Sequence, residues 1–229
     1  PTNLKDEVFL QELKALNADL QIVVAFRMLP EKVWDMPPMG TYNLHASLLP
    51  HYRGAAPINW AIINGEKETG VTTFKLQHEI DTGSILLQEK VAITQEMNAG
   101  QLHHQLMVVG AELLLRSVKQ IEKGDVELKE QGAMLNLGEE AKHAPKIFKD
   151  DCRINWSKNG GEIHNLIRGL SPYPCAWTEL KGTEKNTGFK IYSSSFESLA
   201  HNLKPGDILC DGKKELKVAC LDGYIYIVE

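Results

Sequence analysis

Apolar residues recur along the chain in two alternating rhythms. Val8, Phe9, Leu13, Leu16 and Leu20 fall mostly at helical spacing, and Asn3 with Asp6 three positions later has the form of a capping box that opens such a helix. A β-branched run, Ile22–Val23–Val24–Ala25–Phe26, follows at once. A helix feeding directly into a short apolar strand is the alternation of a parallel sheet buried on both faces. Pro30 is placed to open a short helix at its first turn. The pattern then predicts a strand over 40–46, a helix over 57–64 stopped by Gly65, and strands over 71–76 and 85–93 flanking a tight turn at Asp81–Thr82–Gly83. A long helix over 99–123 closes this part.

Beyond residue 125 the rhythm changes. Residues 131–151 are polar, carry Gly138 and Pro145, and read as a connection. One helix over 161–170 and short strands over 176–180, 189–193, 207–209, 216–220 and 224–228 follow, with turn dipeptides Asp211–Gly212 and Asp222–Gly223. Short strands with such turns are the pattern of a small β-barrel. The predicted organisation is an α/β domain over 1–125, a linker over 126–151 and a β domain over 152–229. The α/β part opens on a helix and offers few strands for a doubly wound sheet, and the last strand runs to Glu229. The expectation is a chain that lacks its opening βα units and a C-terminal tail.

Composition narrows the class. At 229 residues and 43% hydrophobic, the chain can bury one core of ordinary size and a smaller second one. No run approaches the roughly 18 to 20 apolar residues that span a bilayer, and the first ten residues are charged, so no membrane role and a cytoplasmic location are expected. Cys152, Cys175, Cys210 and Cys220 have neither disulfide-framework nor zinc-site spacing and read as reduced thiols. Residues 1–140 hold twelve Lys and Arg against nineteen Asp and Glu, net −7; residues 141–229 hold thirteen against eleven, net +2. The mildly basic second part suits an approach to phosphates, as it equally suits a solvated Lys-rich surface.

Candidate chemistry gathers at one strand end. Alternation along a strand puts Asn43 and His45 on one face with Leu44 on the other, at the C-terminal end where open α/β sheets place ligands. An amide beside an imidazole can stabilise an oxyanion and move a proton, which is what acyl transfer needs. On residue types alone, a satisfied strand-end pair is the plainer explanation. His51–Tyr52–Arg53–Gly54–Ala55–Ala56–Pro57 then supplies small residues around one Arg. Asp81 alone reads as a turn residue, but the return of the chain would set it beside the imidazole and orient it. His103 and His104 are adjacent on a helix, face different ways and cannot share an ion, and no ligand set for a metal stands out. Trp60, Trp156 and Trp177 read as core anchors.

These ordered motifs, Asn43 to Pro50, Arg53 to Pro57, Thr69–Gly70–Val71–Thr72, Asp81–Thr82–Gly83 and Ile85–Leu86, resemble the signature of the 10-formyltetrahydrofolate-dependent formyltransferases. The resemblance implies a formyltransferase-type Rossmann-like domain with Asn43, His45 and Asp81 as catalytic residues. It implies 10-formyltetrahydrofolate as co-substrate, bound along Ser47, Leu48, Leu49 and Pro50 and by the backbone of Phe26, Arg27, Met28 and Leu29, with Arg53 and Gly54 facing the acceptor. No metal is implied. Ala46 stands where many members carry proline or glycine. Ala144–Pro145–Lys146–Ile147, Ile154–Asn155–Trp156–Ser157 and the run from Ile167 to Trp177 resemble the branch whose acceptor is initiator methionyl-tRNA, with an OB-like C-terminal barrel that touches tRNA. A monomer is expected, with Lys146, Lys149, Lys158 and Arg168 as candidate phosphate contacts. The alternatives left open are a sugar-nucleotide N-formyltransferase using the same donor, a folate- or RNA-binding module without catalysis, and hydrolysis of the formyl-folate.

Overall fold

The computed structural model describes residues 2–182 and 185–229. In chain order the first elements are α1 (Glu7–Ala15), β1 (Gln21–Val24), α2 (Glu31–Trp34), β2 (Thr41–His45), β3 (Arg53–Gly54), α3 (Pro57–Ile63), β4 (Glu68–Lys75), β5 (Ile85–Ala92) and α4 (Ala99–Lys123). There follow β6 (His143–Ala144), α5 (Gly160–Leu170), β7 (Ala176–Leu180), β8 (Thr187–Ile191), β9 (Ser194–Ser198), β10 (Ile208–Cys210), β11 (Leu216–Ala219) and β12 (Gly223–Ile227). The chain divides into two compact units: one takes the chain up to Pro57 with Thr69–Val91 and Gln105–Pro145, the other Ile58–Glu68, Ala92–His104 and Lys146–Glu229.

The first unit is built on a mixed sheet in the order β1-β2-β4-β5. β1 and β2 run parallel, Gln21 opposite Thr41 through Val24 opposite Leu44. β4 is antiparallel to β2, with His45 opposite Thr72 and Asn43 opposite Phe74, so the parallel pairing expected from the opening helix–strand alternation is seen between β1 and β2. Six successive residues of β4, Thr69 to Phe74, are buried, as a central strand covered on both faces requires. Tyr42, Leu86 and Ile121 form one core cluster with Leu20, Ile22, Leu87 and Val126 packed on it. Leu49, Phe74 and Ile85 form another with Leu76 against it. The expected capping box is shifted: Asp6 caps α1 by accepting from Phe9 N at 3.1 Å, while Asn3 folds onto Lys5 N at 3.0 Å. The cap must be followed three residues later by a free helical N–H, and Asp6 is the residue that has one.

In the second unit α5 lays Ile163, Ile167 and Leu170 against Cys152, Ile154, Ala176, Ile191, Cys220 and Ile225. Its strands form an antiparallel sheet in the order β10-β11-β12-β9 and a two-stranded ribbon β7-β8. Burial pushes the thiols of Cys152, Cys175 and Cys220 up, holding them neutral. No helix among the described residues is long and apolar enough to cross a membrane.

Candidate active site

The site forms in the first unit, where β2 ends. Parallel pairing of Val23 with Asn43 and Val24 with Leu44 brings the chain leaving β1 out at that same end. There the side chains of Phe26 and Met28 are 56% and 75% exposed. Asn43 Oδ1 is buried and has no hydrogen-bond partner among the described residues. A buried polar atom left without a partner costs about 1–3 kcal/mol, so a ligand that supplies one gains by doing so.

His45 is buried beside it. Its Nε2 lies 2.8 Å from the Tyr52 carbonyl oxygen; a carbonyl can only accept, so this nitrogen carries a proton. Nδ1 is left facing Asp81 Oδ2 at 3.9 Å, with the two side chains 8% and 13% exposed. That separation is too long for a hydrogen bond and leaves a gap between imidazole and carboxylate.

The turn after β4 sets the carboxylate. Asp81 has a left-handed backbone, φ 54°, and its Oδ2 accepts from Gly54 N at 3.0 Å. Gly83 passes so close to β4 that a Cβ would sit 1.7 Å from the Lys75 carbonyl oxygen. Gly54, at φ 122°, leaves a Cβ 2.5 Å from the Ala144 carbonyl oxygen, because β3 lies against β6 in parallel register. Glycine is needed at both positions for close approach, and at Gly54 for the backbone angle too.

Residues 47–50 are pinned from below. Thr72 Oγ1 donates to the Ser47 carbonyl at 2.7 Å and accepts from Leu49 N at 3.2 Å. Gln88 Nε2 donates to the Leu49 carbonyl at 2.8 Å and to Thr72 Oγ1 at 2.9 Å. The side chains of Ser47 and Leu49 are fully buried, which leaves Leu48 and the backbone as what this loop can present.

Sequence reasoning did not single out Thr72, Gln88 or Gln131 for the site. Gln131, in the polar stretch after α4, is 2% exposed. Its Oε1 accepts from Arg53 Nε at 3.0 Å and Nη2 at 2.6 Å, and its Nε2 donates to the carbonyls of Asp81 and Gly83 at 2.8 Å each. The signal that could have found Thr72 is its register opposite His45 on the site strand; Gln88, one strand further out on β5, and Gln131 carry no such signal.

Other sequence candidates fall elsewhere. Arg168 is buried in the second unit, donating to the carbonyls of Thr94 and Met97 at 3.2 and 2.9 Å and to Asn165 Oδ1 at 2.8 Å. It is therefore a structural cation, not a phosphate contact. Lys146 lies over Phe148, Lys149 over Trp177, and Lys158 pairs with Glu162 at 2.9 Å. His103 and His104 are both exposed. Among the described residues no group of three or more His, Cys, Asp or Glu side chains is placed to hold a metal ion.

Comparison with known proteins supplies the family. The formyl transferase family profile matches residues 1–118, and that of the formyl transferase C-terminal domain matches residues 146–229. The methionyl-tRNA formyltransferase of Flavobacterium johnsoniae is 54% identical over 228 residues, covering 100% of this chain and 71% of the relative. That of Bacteroides thetaiotaomicron is 52% identical with the same coverage. Among solved structures, HypX from Aquifex aeolicus in complex with tetrahydrofolic acid superposes with a TM-score of 0.71 at 21% identity, over 95% of this chain and 36% of that one. The N-formyltransferase of Helicobacter canadensis, solved with folinic acid and dTDP-3-aminofucose, gives 0.62 at 25% identity, over 81% and 64%. With both family profiles matched in order and more than half of its residues shared with relatives that align along its whole length and 71% of their own, the chain belongs to the formyl transferase family, on its methionyl-tRNA formyltransferase branch.

Proposed function

We propose that the chain transfers the formyl group of 10-formyltetrahydrofolate to the amino group of initiator methionyl-tRNA, as a cytoplasmic monomer. In this reading residues 1–125 form the catalytic part, 126–151 a linker and 152–229 an OB-like domain that meets the tRNA. The observation that carries it is the gap of 3.9 Å between His45 Nδ1 and Asp81 Oδ2 on the strand end that also holds Asn43, whose Oδ1 is buried without a partner, in a chain of this family.

The amine nitrogen adds to the formyl carbon, and the carbonyl oxygen becomes negative. Asn43 through its amide N–H, and His45 through a protonated Nδ1, donate to that oxygen; one such donor is typically worth about 3–4 kcal/mol in the transition state. Asp81, directly or through one water, takes the proton the amine must lose. The bond from the formyl carbon to N10 then breaks and N10 takes up a proton, so formyl-methionyl-tRNA and tetrahydrofolate leave with protons balanced. The exposed Phe26 and Met28 offer apolar surface for the pterin, the residue 47–50 loop offers backbone, and Arg53 and Gly54 face the acceptor.

The test is formyl transfer by the full-length protein to methionyl initiator tRNA and to a panel of amino-sugar nucleotides, with Asp81→Asn alongside. Formylated methionyl-tRNA from the parent protein and a loss of about 10²–10⁴-fold in kcat in Asp81→Asn are expected. Preference for a sugar nucleotide would move the acceptor to the other branch of the family.

A further inference from the structure

Gln131 sits outside every motif that marks the family in this sequence, yet it is among the most completely engaged side chains in the first unit. A primary amide offers two lone pairs on oxygen and two N–H groups. All four are used: two guanidinium N–H groups of Arg53 meet Oε1, and the carbonyls of Asp81 and Gly83 meet Nε2. The residue is held from behind, because Lys129 and Ile85 exchange both backbone hydrogen bonds at 2.8 Å and Glu130 accepts from Ser84 Oγ at 2.6 Å.

We infer that Gln131 is a positioning residue for formyl transfer, fixing the Asp81 carboxylate by clamping the Asp81–Gly83 turn to Arg53. The bonds close a ring. Gln131 holds the Asp81 carbonyl and the Arg53 side chain, and Gly54, next to Arg53, holds Asp81 Oδ2 at 3.0 Å. Backbone and side chain of Asp81 are thus fixed from two directions, while Oδ1 stays outside the ring to take a proton. A non-glycine residue at φ 54° keeps that conformation only where its surroundings over-determine it. A neutral amide suits this buried place better than a carboxylate. Glutamate would accept from Arg53 but could donate to neither carbonyl, and it would cancel the guanidinium charge beside the acceptor path.

This inference rests on the reading of Asp81 as the proton acceptor, and the experiment separates the two. In the full-length protein, Gln131→Met, Gln131→Glu, Asp81→Asn and the double variant Asp81→Asn/Gln131→Met are compared for kcat, for KM of the folate and of the tRNA, and for thermal midpoint. Gln131→Met is expected to lower kcat by about 10²-fold, the scale of an ångström of misplacement, with both KM values changed far less. Gln131→Glu, which keeps size and the bond from Arg53, is expected to lose kcat as well and serves where Gln131→Met does not fold. In the Asp81→Asn background the Met substitution should change kcat by less than about twofold, because residues acting through one another are not additive. A folded Gln131 variant with parent kcat, or equal losses in both backgrounds, overturns the inference. Full activity in Asp81→Asn overturns the reading beneath it instead.

Discussion

At Gly83 the fold leaves no room for a methyl group: a Cβ there would lie 1.7 Å from a backbone oxygen and 3.1 Å from the Phe74 ring. Since backbone cannot step aside cheaply, Gly83→Ala must lift the turn that carries Asp81. The expected outcome is a loss of about 2 kcal/mol or more in urea unfolding, together with a fall in kcat that addition of folate does not restore. A variant that keeps parent kcat would show that the turn tolerates displacement. The turn at Asp81–Gly83 and the shared face of Asn43 and His45 were legible because turn chemistry and strand alternation act over a few neighbouring residues; the grouping of Asn43, His45 and Asp81 as one site came from the family resemblance. Gln131 was not legible. A glutamine in a polar stretch looks like any other, and what buries it is a turn 50 positions earlier in the chain. Arg168 misled for the mirror reason, since sequence does not tell a solvated guanidinium from one that holds backbone carbonyls.

Among elements, α5 shows how a helix terminus is completed from far along the chain. Asn159 occupies its N-cap position but makes no side-chain cap bond; Gly160 N instead donates to Asp222 Oδ1 at 2.7 Å. A carboxylate at a helix N-terminus also meets the positive end of the helix dipole. Asp222→Ala is expected to cost about 1 kcal/mol or somewhat more in urea unfolding, and Asp222→Asn to retain most of it, since both Asp and Asn cap well. An Ala variant of unchanged midpoint would remove this cap from the account. The Asp222–Gly223 turn was readable, but its side chain's distant role was not. The same limit hid β9: the pattern marked no strand over Ser194–Ser198, and its pairing with β12, Phe196 opposite Ile225, makes it one. Asp211, by contrast, needed no long-range partner. It accepts from the backbone N–H groups of Lys213, Lys214 and Glu215 at 2.9 Å each, which holds its carboxyl below the usual range, and its turn was plain in the sequence.

For the molecule as a whole, helix and strand alternation gave the α/β class, and the tight turn at Asp81–Gly83 gave a return of the chain; which sheet neighbour β4 takes, antiparallel to β2, did not follow from local pattern. Whole-chain stability is expected to depend on pH through one histidine. His164 in α5 is half-buried, and burial first, then the nearby Arg168 charge, pushes its imidazole down from the ordinary value, only partly opposed by Glu96 and the Gln95 backbone. A histidine held neutral in the fold is free to take a proton once unfolded, at a pKa of about 6.5. As pH falls below that value the unfolded state binds protons first, so stability present above it is lost down to the folded pKa and levels off beneath. Each unit of depression is worth about 1.4 kcal/mol. Urea unfolding of the full-length protein at steps from pH 7.5 to 5 should show stability declining through this window. His164→Gln, which stays neutral and can still bond to Ser194 Oγ, now 3.1 Å from His164 Nδ1, should flatten the decline. An unchanged slope in that variant would place the pH dependence on other groups, because no other change in proton binding accompanies the substitution.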